Sequence, residues 1–335
     1  MKLIILGAGI AGALAGGYFR SQSPLLFDQR EEGSDSKHKA VFRFKNPDIG
    51  LVLGCPLKKI EVAKSVYSEI RYARDCIDMV GVHSQQPTIA DCNAYSLKVV
   101  GSLQGRSIRD VSPLPAVRYV LKGQFTPSGV FWGCKVKKVK PHEIIFSTSQ
   151  GDKVVMFDKC ISTIPLPSLL KAIDGKRDWG VDFDEISSSI FVTIFHLKCK
   201  SDVVQTIYYP KGCAYRATLE GDKLIVESVK GVPSDYRFVF RSFGLAKENF
   251  HEESEVCEQK YGKLMEIDQD YRKTLLFDIT EGFGIYSLGR YALWKNLRTD
   301  DLLSDLSAIN RMMGQPLSSI KYDQKKRMEG EHEQH

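Results

Sequence analysis

Several things are missing from this chain, and each absence narrows what it can be. No apolar run is long enough to span a bilayer, which takes about 20 residues, so no membrane partner is expected. The eight cysteines form no C-x-x-C pair and no regular framework. Neither a redox dithiol nor a disulfide scaffold is expected, and the thiols read as reduced, mostly buried groups of a cytoplasmic protein. No His/Cys cluster has metal-ligand spacing, and no Ser/His/Asp or Cys/His set suggests a nucleophile. There is no internal repeat and no second G-x-G-x-x-G, so a single dinucleotide is expected.

What is present fits a soluble globular protein. At 335 residues and 43% hydrophobic, the chain is large enough for two domains and a sizeable core. The net charge is +6, with basic segments at 135–140, 171–177 and 321–327. These are either solvated strand edges and loops or a basic face that draws a polyanion.

The strongest signal lies in MKLIILGAGIAGALAGGYFRSQSPLLFD. An apolar run, Leu3–Leu6, leads into Gly7, Gly9 and Gly12. A helical stretch and a second apolar run ending in Asp28 follow. This is the pattern of a dinucleotide-binding βαβ unit. Gly7 allows the tight turn, Gly9 lets a pyrophosphate approach the backbone, and Gly12 lets the helix pack on the strand. The helix N-terminus offers N–H groups to phosphates. Asp28 is placed to accept hydrogen bonds from ribose hydroxyls, which argues against a 2′-phosphate. A secretory signal peptide would explain the apolarity but not the glycine register or the acid.

Further along, apolar residues at helical spacing predict a helix over 61–80 (Val62, Val66, Ile70, Ala73, Ile77, Val80). Strands follow from Val130 to Phe157, and Cys160–Ile164 reads as a buried strand stopped by Pro165 and Pro167. Segment 186–243, including YRFVFRSF, is expected to form an antiparallel sheet with a hairpin turn at Leu219–Lys223. Residues 251–268 are expected to be helical. Thr299, Asp300 and Asp301 are expected to cap a helix from Leu302 to Met312.

Two later segments add to the opening motif. One is Phe157–Pro165, ending in ISTIP; the other is Ile285–Ala292, with Gly289-Arg290 before a capped helix. Together these resemble flavoproteins of the amine-oxidase and UDP-galactopyranose mutase group. The resemblance implies FAD as cofactor and an α/β fold, a discontinuous Rossmann-like FAD-binding domain with an antiparallel β-sheet substrate domain. The boundaries are 1–45, 126–170 and 281–315 for the FAD domain, 46–125 for a mixed helical insertion near the active site, 186–280 for the substrate domain, and 319–335 for a polar tail. Carried onto this sequence, the resemblance has Gly7, Ala8, Gly9, Ile10, Ala11 and Gly12 cradling the pyrophosphate, with Thr163 in the returning strand–turn. Asp28 and Gln29 hold the adenosine ribose, and the backbone at Val136 touches adenine. Gly289 and Arg290 meet the pyrophosphate, and Asp301 with Leu302 opens the helix that faces the flavin.

The pieces Tyr208-Tyr209-Pro210, Ala214-Tyr215-Arg216 and GRYALW resemble the mutase side, and His38–Phe42 resembles its histidine loop. The Glu-Gly-Gly-Arg loop common in the group is absent; Arg30-Glu31-Glu32-Gly33 stands in its place. The resemblance implies an FAD-dependent oxidoreductase that oxidises a C–N bond of an amine-bearing substrate by hydride transfer to flavin N5. A redox-neutral mutase acting on a nucleotide sugar is the alternative, and a flavin-holding scaffold is a third class. The layout is also similar to short phage flavoproteins that act on modified thymine in DNA, which implies a nucleic-acid partner for the basic segments.

Several side chains are candidates for the substrate site. Arg216 beside Tyr215 either fixes an anionic group or faces solvent. Tyr95, Lys98 and Arg106 either roof the pocket or lie on the surface. Trp294 and Tyr286 either wall the isoalloxazine ring or belong to the core. His38 reads as a loop residue, and His196 as a satisfied core residue.

Overall fold

The computed structural model describes residues 1–33, 42–71, 79–84, 86–101, 103, 108, 111–121, 127, 129–173, 179–229 and 231–314. In chain order the elements begin β1 (Leu3–Leu6), α1 (Ile10–Tyr18), β2 (Leu25–Phe27), β3 (Arg43–Phe44), α2 (Asp48–Leu53) and β4 (Leu57–Arg71). Then come β5 (Met79–Ser84), α3 (Ile89–Val100), β6 (Ser112–Leu121), β7 (Val130–Phe131), β8 (Lys135–Lys140), β9 (Glu143–Thr148), β10 (Gly151–Met156) and β11 (Lys159–Ser162). The remainder are α4 (Leu166–Ala172), β12 (Ser187–Tyr208), β13 (Ala214–Val229), α5 (Arg237–Ser242), β14 (Phe250–Leu264), α6 (Gln269–Phe283), β15 (Ile285–Ser287) and α7 (Leu302–Met313).

Among the described residues the strands form three sheets. A parallel sheet has the order β15-β11-β1-β2-β7, and an antiparallel one has the order β10-β9-β8. The third has the order β13-β12-β4-β6-β3, with β14 also on β12 and β5 on β4. Every residue of β1 is buried, as a central parallel strand requires. Its side chains alternate between two cores. Ile4 and Leu6 meet Ile144, Phe146, Leu169 and Ile279 under the small sheet, while Leu3 and Ile5 meet Leu14, Phe19, Leu306 and Ile309 under α1 and α7. The parallel sheet is thus the middle layer of three.

The third sheet corrects several expectations. The helix expected over 61–80 is absent: 57–71 and 79–84 are strands, and 72–78 lie outside the described residues. Val62 and Val66 are buried as the helical spacing required, but they also share one face of a strand, and pairing with β6 and β12 decides the outcome. Segment 46–125 therefore contributes strands to the same sheet as β12 and β13. Because β4 runs parallel to β12, that sheet is mixed and not purely antiparallel. Residues 250–264 form edge strand β14 instead of a helix, and α6 starts afterwards, where the Asp268 carboxylate accepts from the Asp270 and Tyr271 N–H groups. The YRFVFRSF segment holds helix α5. Its Val239 and Phe240 pack on the back of the sheet with Leu224 and Val226.

The hairpin turn expected at Leu219–Lys223 is a bend. β13 runs through it, and the chain reverses at 209–213 instead. Gly221 sits at φ +61°, and the β12–β13 register shifts between His196 and Gln205. The bend folds the long hairpin over its own concave face.

Three smaller points follow. Of the described cysteines, Cys134 and Cys160 are buried, whereas Cys199 and Cys213 are exposed, so the thiols are not mostly buried. On β8, Lys137 pairs with Asp152 and Lys140 with Glu143, so acids on the other two strands of the small sheet answer part of that basic segment. Among the described residues, no helix is long and apolar enough to cross a membrane.

Candidate active site

The glycine turn is closed on two sides and open on the third. Gly7 has φ +89° and donates its N–H to the Phe27 carbonyl at 2.8 Å. A Cβ there would press on the Thr163 hydroxyl, and one at Gly12 would overlap the Gly7 carbonyl oxygen. A Cβ at Gly9 would meet nothing within 4 Å. Gly7 and Gly12 are therefore required by the protein's own packing, and Gly9 faces free space at the N-terminus of α1. That helix has no acid in its first turn to occupy its N–H groups. Thr163 locks the turn from the other strand: its hydroxyl donates to the Leu6 carbonyl at 2.7 Å and to the Gly7 carbonyl at 3.1 Å.

Asp28 is buried at the tip of β2, and both of its oxygens are engaged. Oδ2 accepts from the Ala8 N–H at 2.7 Å and from Arg30 Nη2 at 3.0 Å. Oδ1 accepts from the Arg30 N–H at 2.8 Å and from Arg30 Nε at 3.0 Å. Burial alone would raise the carboxyl's pKa, but the Arg30 and Ala8 donors outweigh it and hold it below the usual range. Gln29 beside it is exposed.

A cavity of about 1010 Å³ separates this region from the concave face of the mixed sheet. Ile10, Ala11, Thr163, Gly289, Arg290 and Leu302 line one side. Tyr95, Tyr208, Tyr215, Arg216, Glu227 and Lys263 line the other. Eight basic side chains and three acidic ones face the cavity. Register puts Lys64 and Arg216 on one surface: Lys64 pairs with Thr206, Thr206 with Thr218, and Tyr208 with Arg216. Arg43 reaches across to the Thr206 hydroxyl at 3.0 Å and to the Glu220 carboxylate at 2.8 Å.

Glu227 organises the cationic end. Its Oε1 accepts from Arg216 Nε at 3.0 Å and from Arg216 Nη2, and its Oε2 accepts from the Tyr215 hydroxyl. Burial would raise this carboxyl, yet Arg216, Lys263 and the Tyr215 hydroxyl together bring it down to about 2. The buried Lys263 ammonium lies 3.8 Å from the Tyr215 ring centroid.

The cavity brings together Ile10, Ala11, Thr163, Gly289, Arg290, Leu302, Tyr95, Tyr215 and Arg216 from the expected set. Arg290 donates to the Gly262 carbonyl at 3.0 Å. Asp301 ends a short turn before α7 and accepts from the Arg298 N–H at 2.8 Å. Val136 sits on β8, packed against the core beneath the small sheet.

Other expected residues lie elsewhere. Trp294 is fully buried at φ +46°, donating its indole N–H to the Met265 carbonyl at 3.1 Å, so it is core and walls no ring. Tyr286 is also core, beside Lys159. His196 is no core residue: it is partly exposed and 3.2 Å from Glu255. Arg106 and His38 lie outside the described residues.

Lys98 does not roof the cavity. Its ammonium donates to the carbonyls of Tyr209, Lys211 (3.0 Å) and Ala214 (2.9 Å), tying α3 to the 209–213 reversal. Burial pulls its pKa down to about 7. Sequence reasoning missed Glu227, Lys263 and Arg43. An acid inside the apolar strand LIVESV was the available signal for Glu227; Lys263 and Arg43 carry no comparable mark.

No protein-family model and no curated protein matches the chain. Solved structures match its fold. A reduced UDP-galactopyranose mutase superposes with a TM-score of 0.64 at 15% identity, covering 93% of this chain and 95% of the other. An oxidoreductase from Methanosarcina mazei gives 0.57 at 10% identity, covering 93% and 100%. A CLA-producing fatty acid isomerase from P. acnes gives 0.57 at 12% identity, covering 92% and 98%. At these identities the likeness shows a shared fold.

Proposed function

We propose that this chain is an FAD-dependent enzyme acting on an anionic, nucleotide-linked substrate. Isomerisation of a nucleotide sugar, as in the mutase, is preferred to oxidation of a free amine. The observation that carries the choice is the charge of the cavity, eight basic side chains against three acidic. A free amine enters as an ammonium ion and would be repelled there, whereas a diphosphate is attracted.

The residues present fit FAD. Gly9 leaves open space where a Cβ would otherwise stand, and the start of α1 supplies N–H groups for a pyrophosphate. The cavity begins at Ile10 and Ala11 and extends to Leu302 at the start of α7, so the flavin end has a place between two helix N-termini. FAD, when bound, supplies an electron-rich or electron-accepting ring to the substrate. Arg216, oriented by Glu227, binds the anionic part of the substrate. Tyr95, Tyr208 and Tyr215 form an edge-to-face wall that excludes water.

The test uses FAD-loaded protein under anaerobic conditions. UDP-galactopyranose should perturb the spectrum of the reduced protein and be converted to an isomer with no net redox change. Arg216→Gln should weaken that perturbation about tenfold while the protein stays yellow. Bleaching of the oxidised protein by a simple amine, with no response to the nucleotide sugar, would overturn the proposal.

A further inference from the structure

A cation stands behind the tyrosines that line the cavity. Lys98 lies in the last turn of α3, and its ammonium donates to the carbonyls of Tyr209, Lys211 and Ala214, the last two at 3.0 and 2.9 Å. An ammonium has three hydrogens, so all of them are spent on one reversal of the chain.

The residues beside these contacts make the wall. Tyr208 precedes Tyr209, and Tyr215 and Arg216 follow Ala214. Tyr95 stands on α3 about one helical turn before Lys98. Its ring meets Tyr208 at 5.7 Å with an interplanar angle of 81°, and Tyr215 at 6.2 Å and 66°. All three rings are buried and line the cavity. The tether therefore joins the helix that carries one ring to the reversal between the strands that carry the other two. Edge-to-face pairs hold out to about 7 Å between centroids, so a slip of roughly 1 Å would loosen the Tyr95–Tyr215 contact.

Filling this space does not call for a cation. Burial disfavours the ammonium and pulls its pKa down to about 7. A methionine of similar length would pack there without that cost. Three directional bonds add what apolar contact does not, a fixed distance and angle between α3 and the strand ends. We infer that Lys98 is a positioning residue that keeps the wall of Tyr95, Tyr208 and Tyr215 closed to water during turnover. The inference rests on the reading of the cavity as a site for isomerising a nucleotide sugar. Where the wall opens, water competes for the substrate. Its oxygen bonds to the anomeric carbon, the bond from that carbon to the diphosphate oxygen breaks, and UDP leaves with the electron pair while water's proton is released.

The experiment gives UDP-galactopyranose to reduced, FAD-loaded protein and measures the fraction of turnover that ends as free galactose and UDP. Lys98→Met should raise that fraction about tenfold over wild type, and Lys98→Gln, which keeps two donors, should fall between them. The fraction compares two products of the same folded molecules, so a loss of stability does not move it. An unchanged fraction would overturn the inference. A second readout needs no substrate: fluorine NMR of protein labelled with 3-fluorotyrosine. The resonances of Tyr95, Tyr208 and Tyr215, assigned by Tyr→Phe replacement, should shift in Lys98→Met, while those of Tyr18 and Tyr286 stay in place. Wall resonances that do not move would also overturn it. Wild-type protein that leaves UDP-galactopyranose untouched would instead remove the isomerase reading, and the fluorine spectra would still decide the role of Lys98.

Discussion

Arg216 and Glu227 stand eleven residues apart in one strand, yet their side chains share a hydrogen bond of 3.0 Å. A straight strand would separate them by roughly 36 Å. The bend at Gly221 brings them together, and the same bend makes the concave wall of the cavity. The ion pair therefore reports on the curvature of the sheet as well as on local charge.

Glu227→Gln should cost on the order of 3 kcal/mol in urea unfolding, because it leaves Arg216 and the buried Lys263 without their carboxylate. The pH dependence carries the same signature. Glu227 has a folded pKa of about 2 against an ordinary 4.5, so its contribution is full above 4.5 and is lost as pH falls toward 2. The stability gap between wild type and Glu227→Gln should narrow across that window, and a constant gap would show that the carboxylate is not coupled to the cations.

The three glycines should respond differently to substitution. Gly9→Val should fold with near-wild-type circular dichroism and purify without flavin, since its side chain would occupy free space beside α1. Gly12→Ala should lose about 3 kcal/mol or more of stability, because the added methyl overlaps the Gly7 carbonyl. Gly9→Val protein that carries a full complement of FAD would refute the placement of the pyrophosphate.

Lys98 should make stability depend on alkaline pH. Its folded pKa is about 7 against an ordinary 10.5, so between these values the unfolded chain binds more protons at this position. Wild type should gain stability relative to Lys98→Met as pH rises from about 7 to 10.5. Hydrogen exchange at 209–214 should be faster in the variant, because three carbonyls lose their tether. Equal exchange rates would show that the turn holds itself.

Trp294→Phe should lose about 1.5 kcal/mol, the indole bond to Met265 being broken inside the core. The nucleotide-sugar response of the loaded protein should stay at the wild-type level. A changed response would return Trp294 to the wall of the cavity.

Legibility followed the range of the interactions. The glycine turn, α1 and the returning strand Cys160–Ser162 are local patterns, and they stand where the residues indicated. The stretch 61–80 was misjudged because Val62 and Val66 satisfy helical and strand spacing alike, and only pairing with β6 and β12 breaks the tie. YRFVFRSF has the aromatic content of a strand, but Val239 and Phe240 cover the back of a sheet that already had its strands. At the site, Arg216 could be singled out from its own segment. Its partner Glu227 could not, because nothing in the linear spacing announces the bend.

The parallel sheet is assembled from residues 3–6, 25–27, 130–131, 159–162 and 285–287. On a ribosome adding about 5–20 residues per second, the opening apolar strand waits roughly 15–60 s for its outermost companion to emerge. During that interval four consecutive apolar residues sit beside an unfinished edge, where a neighbouring nascent chain can pair with them. Recovery of active material should thus depend on translation speed and on holdase capacity more steeply than equilibrium stability alone would suggest.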